Sequence, residues 1–229
     1  LYNEGFRSDF PDLQAPSYVD NNVYSMPSGS WSTHNLGNTV DAGYDASTGI
    51  YHYKINGDLE IDWGQKLQIH GPTVIEVTDD FVINWGGEVE IKPGGSLTLF
   101  VKDTFDIWGG KLENQNLDPS KLVVVGTRTS GNSYWYMYHN ADFHGAMYGP
   151  RARLYFYGGN YSYSTGQFYG AGVFEDLDII GDKDFYYDKN VFSNIVEENR
   201  AFDELFYYAP SSWTEETPSD YLDGDPSSP

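Results

Sequence analysis

His139, Asp142, His144, Arg151 and Arg153 lie close together in the chain and are the residues best suited to acid–base chemistry. Cleaving a polysaccharide needs two carboxylates, or a basic residue that abstracts a proton beside a bound cation. The separations in this cluster repeat no known catalytic motif. Arg151 and Arg153 also have the opposite parity to Leu154, so on a strand they point outward and pair with neighbouring acids.

A second set is acidic. Asp58, Glu60 and Asp62 alternate along one segment, and Asp80 and Asn84 follow at a spacing of 22. Carboxylates stacked on adjacent strands repel unless a cation relieves them, which makes Asp58, Glu60, Asp62 and Asp80 a candidate weak calcium site; a solvated acidic face is the alternative. Asp182-Lys183-Asp184 and Asp223-Gly224-Asp225 are looser acid pairs, and neither fits the calcium-loop pattern. No other cofactor is implied, and phosphate-cradling glycine loops, nucleophile elbows and two-histidine zinc motifs are absent from the sequence.

The third set is aromatic. Tyr134-Trp135-Tyr136-Met137-Tyr138 carries aromatic residues on both faces of a strand, and Tyr155, Phe156, Tyr157, Tyr161, Tyr163, Phe168 and Tyr169 follow. Phe156 and Phe168 read as core, whereas Tyr155 and Tyr157 have the outward parity. Tyr134, Trp135, Tyr136, Tyr138, Tyr155 and Tyr157 thus form a candidate binding surface, since exposed rings stack on sugars or hold another protein. Cross-strand stabilisation is the alternative role. An ice-binding array would need a regular Thr-x-Thr ladder, and only Thr127-Arg128-Thr129 fits, in a loop.

These residues need elements to position them, and internal repetition supplies them. Asp58-Leu59-Glu60-Ile61-Asp62-Trp63-Gly64, Asp80-Phe81-Val82-Ile83-Asn84-Trp85-Gly86 and Thr104-Phe105-Asp106-Ile107-Trp108-Gly109 place Trp-Gly pairs 22 and 23 residues apart. Leu59, Ile61 and Trp63 alternate with acids, giving one apolar and one acidic face. A unit this short cannot bury its own apolar face, but stacked units can. The pattern predicts an all-β, single-stranded parallel (right-handed) β-helix or β-solenoid of about six rungs over residues 50–188. Propellers need longer repeats; a β-sandwich is the remaining alternative. Ile83 to Ile107 is 24 residues but Trp85 to Trp108 only 23, so a shifted corner is expected there. Residues 113–120 and 127–133 read as loops, and Gly145-Ala146 and Gly170-Ala171 as sites of close packing.

Residues 1–49, rich in Pro, Ser, Asn and Gly, read as an N-terminal capping segment. Residues 189–229 read as a C-terminal cap with a short helix over 193–207 and an acidic tail.

The 229 residues carry 13 Lys+Arg against 34 Asp+Glu, a formal charge of −21 that opposes nucleic-acid binding. With no cysteine, disulfides and thiolate chemistry are excluded. No stretch is long and apolar enough to span a bilayer, so this segment is expected to make no membrane contact. The chain starts at Leu1 with no start Met or hydrophobic leader, which reads as a processed or trimmed protein whose anchor or export signal lay upstream.

Tyr53-Lys54-Ile55-Asn56-Gly57-Asp58-Leu59-Glu60-Ile61, Asp142-Phe143-His144-Gly145-Ala146-Met147-Tyr148-Gly149-Pro150 and Phe185-Tyr186-Tyr187-Asp188 resemble a β-helical domain of unknown function. That domain occurs in PilX-type, type IV pilus-associated cell-surface proteins, often with a closing Ser-Trp-Arg-Glu-like stretch; here it would be Ser212-Trp213-Thr214-Glu215, with Thr in place of Arg. The resemblance spans roughly residues 50–216. It implies a β-helix exposed outside the cell on a pilin-like or membrane-anchored N-terminus, and it brings no catalytic residues. The expectation is a non-enzymatic extracellular structural or adhesive module of a pilus or cell-surface assembly. Its partners would be other surface subunits, further copies of itself or a glycan. The alternative is a carbohydrate-active protein, either a binding module or a polysaccharide-degrading lyase or hydrolase.

Overall fold

Leu59 and Ile61 are buried while Glu60 between them is exposed, the alternation a strand needs when only one face meets a core. The computed structural model describes residues 12–16, 23–26, 32–40, 43–139, 141–158, 166–181, 183–189 and 191, and in it this alternation stacks into a parallel β-solenoid. The N-terminal part contributes β1 (His34–Leu36) and β2 (Tyr44–Asp45). Three turns of three strands follow: β3 (Ile50–Ile55), β4 (Leu59–Ile61) and β5 (Lys66–Ile69); β6 (Pro72–Val77), β7 (Phe81–Ile83) and β8 (Glu88–Ile91); β9 (Ser96–Val101), β10 (Phe105–Trp108) and β11 (Lys111–Asn114). The chain continues through β12 (Leu122–Gly126), β13 (Ser133–Tyr138), the long β14 (Phe143–Tyr157) and β15 (Gly166–Ile180), and β16 (Lys183–Tyr187).

Parallel pairing sorts these strands into three faces. Face one stacks β3, β6, β9, β12, the first halves of β14 and β15, and β16, with β2 antiparallel at its start. Face two stacks β4, β7, β10, β13 and the second halves of β14 and β15. Face three stacks β1, β5, β8 and β11 and then stops. Among the described residues no strand closes the third side from β14 onward, and the stack makes about five turns where about six were expected. The run 113–120 is also not all loop: Glu113 and Asn114 finish β11, where the buried Asn114 amide donates to the carbonyls of Asp118 and His144 and ties β11 to β14.

Identical positions lie one rung apart, about 4.8 Å, so the core is a set of ladders. Ile61, Ile83, Ile107, Met137 and Phe156 form one fully buried ladder behind face two. Phe143, Phe168 and Phe185 stack in another behind face one, with centroids 5.0 and 4.3 Å apart. Burying one such side chain contributes about 1.5–3 kcal/mol. The expected close approach occurs at Gly145 and Gly170, which pair across rungs. Gly170 has φ +143°, and a β-carbon there would run into the Gly145 carbonyl.

Face three has one buried charge. Glu90 accepts from Lys66 at 2.7 Å, Lys92 at 2.5 Å and Gln68 at 2.8 Å. Burial pushes its carboxyl up, but these hydrogen bonds and the Lys66 charge more than offset that and hold it down at about 2. Because the folded value lies below the unfolded one, the stabilisation is full above about pH 4.5 and disappears as pH falls toward 2. Glu90→Gln is therefore expected to cost about 2 kcal/mol at pH 7 and close to nothing at pH 2. Thermal melts at the two pH values check this, and an equal loss at both would refute it.

The helix expected over 193–207, the acidic tail, Tyr161 and Tyr163 lie outside the described residues. Among the described residues no helix is long and apolar enough to cross a membrane.

Candidate functional site

The histidine–arginine cluster is dispersed by the fold. Arg151 makes a bidentate pair with Asp12, Nε to Oδ1 at 2.6 Å and Nη2 to Oδ2 at 2.8 Å, and so clamps the N-terminal segment to β14. Arg153 reaches Glu175 on the next rung at 3.4 Å. His144 packs edge-on against Tyr169 at 4.6 Å, and the Asp142 carboxylate accepts from the Gln167 amide at 3.0 Å. These are structural roles, with the arginines paired to neighbouring acids as their parity implied.

The candidate calcium ligands are also separated. Asp58 and Asp80 sit at the corner between faces one and two, where Asp58 Oδ1 accepts from Asp80 N at 3.2 Å and Asp80 Oδ1 from Thr104 N at 2.8 Å. Glu60 lies mid-strand beside Val82, and Asp62 lies at the next corner, accepting from the Asn84 amide at 2.8 Å. Among the described residues the fold instead groups Asp79, Asp80 and Asp103, whose carboxylate oxygens lie within 4.8 Å of one another; Asp103 is already paired with Arg128.

The aromatic set is brought together, with one correction. Trp135 is fully buried, between Phe105 and Leu154 in the face-two core, because it shares the inward parity of Met137. It is not part of the surface. Tyr134, Tyr136 and Tyr138 of β13 and Tyr155 and Tyr157 of β14 point outward from face two on adjacent rungs. Tyr136 stacks on Tyr138 at 5.5 Å and on Tyr155 at 5.3 Å, with ring planes only 11° and 15° apart.

The corner between faces two and three adds a feature that the alternation alone misassigned. Trp63 has the parity of Leu59 and Ile61, yet it is 74% exposed, and Trp85 and Trp108 are 55% and 47% exposed. The strand ends before Trp63, and the chain turns there through Gly64 with φ +76°. Gly86 and Gly109 repeat this turn at φ +75° and +68°. A β-carbon on Gly86 would stand 2.5, 3.0 and 3.0 Å from Cε3, Cδ2 and Cζ3 of Trp63. Three neighbouring ring atoms at nearly equal range place the glycine over the face of the indole, not at its edge. Trp85 lies on Gly109 in the same way. Each of these rings thus rests one face on the glycine of the next rung, and only glycine leaves room for it. The useful signal in the sequence was the Trp-Gly pair, which marks a left-handed corner rather than a strand interior.

Two changes shape the upper part of the strip. The corner after Ile107 is one residue shorter, as the 23-residue spacing implied, so Trp108 follows Ile107 directly and points outward. On the next rung His139, with φ +60°, takes the position that glycine holds on the rungs below. Its ring meets the edges or faces of Trp85 and Trp108 at 5.6 and 5.7 Å, and Trp108 turns edge-on to Tyr138 at 4.5 Å. The strip then continues from Tyr138 to Tyr157 and ends at Ile180.

One carboxyl lies inside this strip. Asp106 is held between Val82 and Tyr136, and its Oδ1 is buried and accepts no hydrogen bond among the described residues. Burial, then the nearby Asp80 charge, pushes Asp106 up to about 6. Burial and the Asp106 charge in turn push Tyr138 up to about 12. The arrangement offers exposed ring faces, phenol hydroxyls and the Asp62 carboxylate at its border, which suits recognition of a ligand with both apolar and hydrogen-bonding surface.

A family model described as a domain of unknown function (DUF7305) matches residues 5–193. No curated protein and no solved structure matches the chain.

Proposed function

This chain belongs to the DUF7305 family, a domain of unknown function, and for it we propose a non-enzymatic role as the rigid adhesive module of a pilus or cell-surface assembly. The observation that carries the reading is the outward aromatic strip running along the solenoid from Trp63 to Tyr157. Exposed indoles contribute little to folding, and a contiguous aromatic surface on a soluble-looking acidic molecule is a mark of contact with something else. Stacked rungs supply the stiffness that a load between two surfaces requires. The sequence resemblance to PilX-type, pilus-associated proteins supports an extracellular setting.

Beads carrying the domain are expected to be retained under flow on at least one of three surfaces: insoluble polysaccharide, hydrophobic polymer or the immobilised domain itself. Tyr155→Ser combined with Tyr157→Ser is expected to remove most of that retention while melting curves stay cooperative. Equal retention of both proteins on all three surfaces would defeat the reading.

One observation favours a second reading. A carboxyl raised to about 6 beside another carboxylate, as Asp106 is beside Asp80, is how glycosidases prepare a general acid. Release of reducing sugar from a polysaccharide panel, abolished by Asp106→Asn, would establish that enzyme; retention without release supports the adhesive module.

A further inference from the structure

We propose that the corner strip from Trp63 to Tyr157 binds a linear polysaccharide of amino sugars with free, protonated amines, laid along the solenoid axis. This rests on the adhesive reading, because it names the ligand of the same surface. Three features point to this chemistry.

The first is shape. The strip follows one corner over several rungs, from Trp63 through Trp85, Trp108 and Tyr138 to Tyr157, and widens onto face two at Tyr136 and Tyr155; the seat of an indole on a glycine recurs at Trp63 and Trp85. A surface elongated along the solenoid axis fits a linear polymer better than a globular partner, whose interface would spread over a broad patch. The second is the type of side chain. Trp63 and Trp85 each have one indole face seated on glycine, and both remain more than half exposed, Trp85 with the His139 ring 5.6 Å away. A pyranose ring presents C–H bonds on its faces and hydroxyls at its edges. The faces fit indole, and the edges fit the Asp62–Asn84 pair and the phenol hydroxyls beside the rings.

The third is charge. The protein carries a formal charge of −21, which disfavours a polyanion. Carboxylates border the strip at Asp62 and, one rung beyond Tyr155, at Asp178, whose Oδ2 stands 3.5 Å from the Tyr157 hydroxyl. An ammonium group supplies hydrogen-bond donors and a positive charge to these bordering carboxylates, and it is attracted to the face of Trp and Tyr rings.

The test is titration of the whole domain with glucosamine oligomers (chitosan), with fully N-acetylated chitin oligomers, with oligogalacturonate and with oligolysine, read by tryptophan fluorescence and calorimetry. Chitosan is expected to bind best and to change the fluorescence of the exposed indoles. Trp85→Ala combined with Trp108→Ala is expected to weaken binding by about tenfold or more. Tyr186→Ala, which alters an exposed ring on face one, is expected to leave it unchanged. Equal affinity for the N-acetylated oligomer overturns the role of the amine, and equal affinity for oligolysine overturns the sugar in favour of a basic peptide. No chitosan binding, or binding indifferent to the indoles, overturns the inference. If beads are still retained in a Tyr155- and Tyr157-dependent way while chitosan does not bind, the ligand assignment fails and the adhesive reading survives; loss of both shows that the reading beneath it failed.

Discussion

Trp135→Ala is expected to lower the melting temperature by roughly 6–20 °C, the consequence of removing a fully buried indole at a cost of about 3–5 kcal/mol. Trp135 fills the face-two core one rung above Phe105, whose ring lies 5.8 Å away, and Phe174 meets it edge-on at 6.2 Å. Gly126 and Gly149 close on its far edge: β-carbons on them would stand 3.0 Å from Cζ2 and 2.9 Å from Cη2. Removing the indole leaves a cavity between these close-set backbones and rings, which adds to the lost burial. Trp108→Ala is the matched control, because the same residue type on the preceding rung is nearly half exposed. It is expected to change stability by no more than about 1 kcal/mol. Thermal or denaturant melts of the two variants check the pair, and a large loss from Trp108→Ala with little from Trp135→Ala would reverse the assignment of inward and outward faces.

Asp106→Asn is expected to stabilise the protein above pH 6 by about 2 kcal/mol and to have no effect near pH 3. The sign follows from the direction of the shift. Burial and Asp80 raise the folded carboxyl to about 6 from an ordinary value of 3.8, so the folded state holds the proton more tightly than the unfolded chain. Between those two values the wild type loses stability as pH rises, and above 6 the full penalty is present. The asparagine carries no charge at any pH and removes that slope. Melts across pH 3–8 compare the two proteins, and parallel curves would show that Asp106 is solvated like any surface acid.

The acidic character of the molecule is organised, not diffuse. Glu90 is stabilised by two lysines, Asp58 and Asp80 by backbone amides at a corner, and Asp62 by an asparagine amide. Lys54 with Glu76 at 3.2 Å and Lys66 with Glu88 at 2.5 Å continue the same cross-rung pairing. Where acids do meet on adjacent rungs, as Glu90 and Glu113 or Asp79 and Asp103, a cation stands beside them: Lys66 and Lys92 at Glu90, Lys111 at Glu113 and Arg128 at Asp103.

The sequence by itself determined the stacking. A period of 22 to 24 residues and strict alternation at Leu59-Glu60-Ile61 leave a stack as the way to bury short strands, and the parity of Tyr155 and Tyr157 against Phe156 assigned their faces, because side-chain direction in a strand is local. The spacing also marked the shortened corner before Trp108. Only the tertiary structure decided what happens at corners and between rungs. Parity stops carrying information once the chain leaves the strand, so Trp63 reads as core and is in fact exposed. Its position depends on Gly86, a residue 23 places away that it touches only after stacking. Asp106 looks like any outward acid until Val82, Tyr136 and Asp80 close around it from other rungs and remove its water. Contacts along a strand follow from sequence order; contacts across rungs follow from register, and the site is built almost wholly from the latter.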